Sequence, residues 1–253
     1  MSLLEVEDLS IHFGGVKAVQ NVSFSIDSGI IYSVIGPNGA GKTTLFNLIT
    51  GVYQPTSGEI RLDKEMIQGK SPDRLAELGI ARTFQNLQIC MNMSALENVM
   101  IGAHLRLDRN LLKAAMRWPS LRRRDNLLRE EAAELMKFVG VEQYIHSRSD
   151  SMSYGALKRL EIARALAMKP RIIFLDEPAA GLNPKETIEI DELIRKLSGS
   201  GITVVLVEHD MKMVMNLSDR ILVLDYGRKL TEGTSAEVRK NPDVIAAYLG
   251  THA

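Results

Sequence analysis

Gly36-Pro37-Asn38-Gly39-Ala40-Gly41-Lys42-Thr43 is the stretch that decides the fold, because it combines a glycine-rich turn with a lysine and a hydroxyl at fixed spacing. Gly, four residues, then Gly-Lys-Ser/Thr is the phosphate-loop pattern, which average composition produces by chance in about 1% of chains of this length. Its surroundings are right as well. A continuous apolar run at residues 30–35 precedes it and a helical pattern at 43–50 follows. Glycines without side chains let backbone N–H groups wrap an anion at the positive end of that helix. The residues from Gly36 to Thr44 are therefore expected to bind a nucleotide polyphosphate, with Lys42 reaching the terminal phosphates and the Thr43 hydroxyl ligating magnesium.

Outward from the loop, strand patterns with turn punctuation fill residues 3–6, 22–26 and 59–62. From about 86 to 168 they vanish, and Leu127, Ala132, Leu135 and Met136 recur at helical spacing. Apolar strands then return at 172–175, 202–207 and 221–224, alternating with helices near 185–197 and after 210. Such alternation indicates a parallel sheet covered on both faces. The chain of 253 residues has 45% hydrophobic and 25% charged residues, which excludes a disordered or fibrous protein. Thirty-one basic residues balance 31 acidic ones, so no overall field draws nucleic acid or an anionic membrane. No apolar run approaches the roughly 20 residues that cross a bilayer. The N-terminus lacks signal-peptide features and Cys90 is the one cysteine, so a reducing cytosol is expected and Cys90 reads as inert core. Arg122, Arg123, Arg124 and Arg129 beside Glu130 and Glu131 read as a solvated helix face. Met91, Met93, Met116, Met136 and Met152 read as core filling, with a repacking contact surface as the alternative.

The apolar run 172–175 ends in Asp176-Glu177. On a buried parallel strand these acids emerge at the C-terminal edge, where open sheets bind ligands. Asp176 can hold the magnesium shell, and Glu177 can activate water for in-line attack on the terminal phosphoryl group. His209, after another apolar strand, sits at the same edge and can position that water. Gln85, in Thr83-Phe84-Gln85, can touch metal or water as a neutral amide; a solvated loop residue is its bland reading. Ser153, before Tyr154-Gly155-Ala156, reads as an N-cap of a helix from about 157, whose free N–H groups suit an anion. A second phosphate cradle implies a second chain closing over the nucleotide.

With the phosphate loop, Gln85, Ser153-Tyr154-Gly155, Asp176-Glu177 and His209 in this order, the chain resembles the ATP-binding-cassette ATPases over nearly its whole length. Arg82-Thr83-Phe84-Gln85, Gly181-Leu182-Asn183-Pro184, the insertion at 106–124 and the ending from Asn241-Pro242-Asp243 to Tyr248-Leu249-Gly250 are similar to the larger ATPase of the branched-chain amino acid importers. The resemblance implies an α/β fold: a phosphate-loop NTPase core with a mixed, mainly parallel sheet, an N-terminal antiparallel β subdomain and an inserted helical subdomain. One ATPase domain then spans 1–253, with the core and β subdomain at 1–85 and 166–253 and the helical subdomain at 86–165. It also implies ATP and Mg2+ as ligands, Phe13 stacking on adenine beside Ala18, Glu177 as general base, His209 as switch, Ser153 and Gly155 on the opposing site's phosphate, and Leu182-Asn183 in the dimer contact. Phe13 fits the core equally well on sequence grounds.

The implied partners are a second ATPase subunit, identical or not, transmembrane permease subunits and, indirectly, an external solute-binding protein, with no nucleic acid. The implied place is the cytoplasmic face of the membrane, peripherally bound. Ala156 stands where the family usually has glutamine, which implies weaker closure or a slower cycle. Uptake of amides or urea, lipopolysaccharide export, and a soluble ATPase of DNA repair or translation are the alternative functions.

Overall fold

The computed structural model describes residues 2–104 and 119–249, the side chains of 119–124 and 249 excepted. A long hairpin opens the chain, β1 (Ser2–Phe13) and β2 (Val16–Asp27), followed by β3 (Ile31–Ile35), the phosphate loop and α1 (Lys42–Ile49). Then come β4 (Ser57–Leu62), β5 (Glu65–Met66), α2 (Pro72–Glu77) and β6 (Ile80–Arg82). The next described α-helices are α3 (Ala95–Gly102), α4 (Pro119–Phe138) and α5 (Tyr154–Leu166), with short 3-10 turns at Glu142–Tyr144 and Ser149–Ser151 between the last two. The chain returns to strand at β7 (Ile172–Asp176), with α6 (Pro184–Gly199), β8 (Thr203–Val207), α7 (Met211–Leu217), β9 (Arg220–Asp225), β10 (Arg228–Gly233), α8 (Ser235–Lys240) and α9 (Pro242–Leu249) after it.

Two sheets form. An antiparallel sheet orders its strands β2-β1-β4-β5, and a mixed sheet orders them β10-β9-β3-β8-β7-β6, parallel throughout except for the β10–β9 pair. The expected α/β class with a mainly parallel sheet and a separate antiparallel one is what the chain adopts. Alternation explains how β7 serves two layers: Ile172 and Phe174 pack toward α1 and the antiparallel sheet, while Ile173 and Leu175 pack toward α5 and α6. Phe174 meets Phe46 of α1 edge-on, with ring centroids 5.1 Å apart. This contact sets the phosphate-loop helix directly against the strand that carries the acids.

Local chemistry explains the boundaries. Asn183 accepts from the Lys185 and Glu186 N–H groups in a capping box, and Pro184 occupies the first turn, so α6 starts at Pro184 rather than 185. Ser153 accepts from the Ala156 N–H, which starts α5 at Tyr154, not near 157. The strands β6 and β10 carry too few apolar residues to show a strand pattern; β10 is exposed or half-buried along most of its length.

Three readings of side chains change. In α4 the buried positions are Leu128, Ala132 and Met136, and Leu127 is 54% exposed, so the core-facing stripe runs one residue later than Leu127 suggests. Cys90 is exposed instead of buried core: the buried Asn98 side chain holds its main-chain N–H and C=O, and the thiol is left outside that contact. Met136 and Met152 fill core and Met91 is exposed. Arg129 and Glu130 are exposed, as a solvated face requires. The calls on residues 106–118, including Met116, on the side chains of Arg122, Arg123 and Arg124, and on Gly250 lie outside the described residues.

Candidate active site

The strand β3 ends at Ile35 and α1 begins at Lys42, so the loop between them lies at the C-terminal edge of the parallel sheet. Two of its glycines are sterically required. Gly36 has φ +152°, and a Cβ there would lie 2.2 Å from the Leu224 carbonyl oxygen. Gly41 has φ +100°, and its Cβ would meet the Ala18 carbonyl at 2.6 Å. Gly41 is also the N-cap of α1 and provides no side-chain acceptor, which leaves the first N–H groups of that helix open to an anion. The main chain thus does what side chains would obstruct.

A cavity of about 650 Å³ opens over this loop, and Ala18, Gly39, Lys42, Thr43, Gln85, Glu177 and His209 are among its lining residues. Asn38, Gly41 and Thr44 line it too. Pro37 and Ala40 face a neighbouring hollow with Tyr226 and Asp243, and Gly36, packed against the Leu224 carbonyl, lines neither. Lys42 is buried and donates to the Gly36 carbonyl at 2.7 Å and the Pro37 carbonyl at 2.9 Å. Burial lowers its pKa, and the carboxylates of Glu177 and Asp176 oppose that shift. The ammonium therefore stands within an acidic neighbourhood and is held by oxygens that a phosphate can replace.

Asp176 and Glu177 play different geometric parts. Asp176, the last residue of β7, is buried and accepts from Arg82 Nη2 at 3.1 Å. Burial raises its pKa and the Arg82 guanidinium opposes the rise. Glu177 follows with φ +50°, a left-handed conformation that costs of order 1–3 kcal/mol for a non-glycine residue and turns its side chain out of the strand line. Its Oε2 accepts from Gln85 Nε2 at 3.0 Å, and its Oε1 lies 2.8 Å from His209 Nε2. Gln85, Glu177 and His209, far apart in sequence, thus form one hydrogen-bonded row at the cavity.

Sequence reasoning passed over several groups that hold this row. Glu208 is buried, and its carboxylate accepts from the Ala179 N–H at 2.8 Å and the His209 N–H at 3.1 Å, fixing the turns after β7 and β8 to each other. Burial raises its pKa, with those N–H groups opposing. On α5, Lys158 donates to the Gln85 carbonyl at 3.2 Å, Glu161 accepts from the Gln88 N–H at 3.3 Å, and Arg164 donates to the Gln88 carbonyl. Charged residues three apart on a helix otherwise rich in alanine and leucine were the available signal.

Phe13, Asp176, Ser153 and Gly155 do not line the cavity. Phe13 is 45% exposed and packs edge-on against Tyr53, with centroids 5.3 Å apart, which rules out its core reading. Ser153 and Tyr154 are exposed at the start of α5. The oxygen donors on hand are the Thr43 hydroxyl, the Gln85 amide oxygen and, beside them, the Asp176 carboxylate. Such a set fits a hard cation such as magnesium, which takes one or two carboxylates and completes its shell with waters and phosphates.

The family described as "ABC transporter" matches residues 19–180. This chain is an ATP-binding cassette of the ABC transporter family. The description "Branched-chain amino acid ATP-binding cassette transporter" matches residues 228–253. The cassette is 47% identical to the high-affinity branched-chain amino acid transport ATP-binding protein BraF of Pseudomonas aeruginosa, over 98% of each chain. It is 45% identical to the corresponding protein LivG of Salmonella typhimurium, again over 98% of each. Among solved structures, a nucleotide-free ATP-binding cassette from an ABC transporter superposes with a TM-score of 0.86 at 31% identity, covering 99% of this chain and 100% of the other. No helix among the described residues of the cassette is long and apolar enough to cross a membrane.

Proposed function

We propose that this cassette is the ATP-hydrolysing subunit of an importer for branched-chain or related amino acids, bound to permease subunits at the cytoplasmic face of the membrane. The observation that carries the reading is the row Gln85-Glu177-His209 facing the phosphate loop across one cavity. The names and identity of the relatives favour amino acid uptake over lipopolysaccharide export or a nucleic-acid role.

Each residue then has a task. Main-chain N–H groups from Gly36 to Thr44 hold the phosphates, and Lys42 exchanges its two loop carbonyls for phosphate oxygens. Glu177 is the general base. Each of its oxygens accepts one hydrogen bond here and keeps a further lone pair for the proton of an attacking water. His209 orients that carboxylate, and Gln85 ties it to the segment at 86–165, which is the part expected to receive the permease. Ala18 and Phe13 lie on the hairpin beside the loop, in reach of the nucleoside end. Thr43, Gln85 and Asp176 would hold magnesium, which when bound supplies charge neutralisation at the transferring phosphoryl group.

Ser153 is exposed at the start of α5 and Gly155 is buried beside it against the Glu186 side chain, and neither lines the cavity of its own chain. That placement supports a dimer in which they close on the nucleotide of a second ATPase subunit. Phosphate release by the purified chain tests the core of the reading. Magnesium-dependent release that disappears in Lys42→Ala is expected; a folded wild-type chain that releases none with or without its partners overturns it.

A further inference from the structure

Arg82 ends the edge strand β6 and points into the core rather than to solvent, with its side chain 8% exposed. Its planar guanidinium reaches three residues on two elements. Nη2 donates to Asp176 Oδ2 at 3.1 Å, while Nη1 donates to Asn47 Oδ1 at 2.6 Å and Thr50 Oγ1 at 2.9 Å. The rings of Phe84 and Phe46 flank it, 5.1 and 5.9 Å from the guanidinium carbon. Nε is buried without a partner, so this cation is committed to the cluster at some cost.

What the cluster joins is specific. Asn47 lies in the last turn of α1 and Thr50 ends it, where the helix carbonyls favour a positive charge. The first turn of the same helix carries Lys42 and Thr43. Arg82 therefore bolts the far end of the phosphate-loop helix to Asp176, and it lies three residues before Gln85 in the chain.

We propose that Arg82 is a positioning residue for the metal: it fixes the Asp176 carboxylate against α1, so that Asp176 and Thr43 meet a magnesium ion as one rigid set. The proposal rests on the reading above of Asp176 and Thr43 as magnesium donors. A lysine cannot replace this fork, because a single ammonium on a flexible stem does not span three acceptors in a plane.

A purely structural ion pair gives a different result when it is weakened. It lowers the melting temperature and changes nucleotide binding equally with and without metal. The test measures the affinity of the full-length chain for a fluorescent ATP analogue in EDTA and in excess magnesium, beside melting curves, for Arg82→Lys, Asn47→Ala and Thr50→Val. Expected for Arg82→Lys is a loss of about 10-fold in the affinity gained from magnesium, the usual scale for groups that orient metal ligands, with the EDTA affinity within about twofold of wild type. Asn47→Ala and Thr50→Val, which leave the Asp176 partner in place, should lose less in the same direction.

Equal losses in EDTA and magnesium, or a folded Arg82→Lys chain with the full magnesium gain, overturn the proposal. If Arg82→Lys does not fold, an undiminished magnesium gain in both milder variants overturns it instead. A wild-type chain with no magnesium gain sinks the parent reading of the metal site, a result distinguishable from the others.

Discussion

Replacing Glu177 by glutamine tests the division between holding the site together and doing its chemistry. In the structure the carboxylate takes a hydrogen bond from Gln85 Nε2 at 3.0 Å and contacts His209 Nε2 at 2.8 Å. A glutamine side chain of the same shape can keep both. Its carbonyl oxygen accepts from Gln85, and its amide donates to Nε2 of a neutral His209 that carries its proton on Nδ1. Stability should therefore change by less than about 1 kcal/mol, within the net worth of one hydrogen bond. What disappears is basicity. A lost general base slows the reaction by about 10²–10⁴-fold, and 10²-fold corresponds to about 2.7 kcal/mol of barrier at about 1.36 kcal/mol per decade. Phosphate release at saturating Mg-ATP should fall at least about 100-fold, while the Kd for ATP stays within about threefold. Turnover within about threefold of wild type in a folded variant would remove Glu177 from the role of base.

Three further outcomes are expected. Mg-ATP should drive self-association of the Glu177→Gln chain, or pairing with its partner ATPase, as read by light scattering, and adding Ser153→Arg should abolish it; nucleotide-independent association in both counts against a shared site. Leu128→Ala should cost about 2–5 kcal/mol in denaturant unfolding because Leu128 is buried, whereas exposed Leu127→Ala should stay within about 0.5 kcal/mol. Glu208→Ala leaves both bound N–H groups without their acceptor, so it should destabilise the fold by about 1–3 kcal/mol. Burial raises the folded Glu208 pKa above its ordinary value, so the native state binds this proton more tightly and the wild-type contribution falls as pH rises through that raised pKa. The melting-temperature gap between wild type and Glu208→Ala should accordingly be widest on the acid side and narrow toward neutral pH; a gap that widens with pH would contradict the assignment.

The phosphate loop and the acids of β7 were legible in the sequence because their signals are local. Glycines, a lysine and a hydroxyl stand within eight positions, and Asp176-Glu177 ends an unbroken apolar run. The register of α4 was less so, since adjacent Leu127 and Leu128 both fit a helical stripe and only packing against α3 and α5 selects the second. Phe13 and Cys90 mislead for a related reason: residue type alone does not say whether a turn at a strand end or a capped helix start faces out. Arg82 is the clearest case of non-local information. Its partners lie 32, 35 and 94 positions away, and nothing beside it in the chain announces a buried cation.

The claim that joins these parts is that hydrolysis at the row Gln85-Glu177-His209 powers solute entry. It is tested most directly by ATP-driven uptake of radiolabelled leucine in proteoliposomes holding this chain, its partner ATPase, the permeases and the external binding protein. Uptake that requires ATP inside with wild type and disappears with Glu177→Gln is the expected result. Full uptake with Glu177→Gln, or wild-type ATP hydrolysis with no leucine transported, would contradict it.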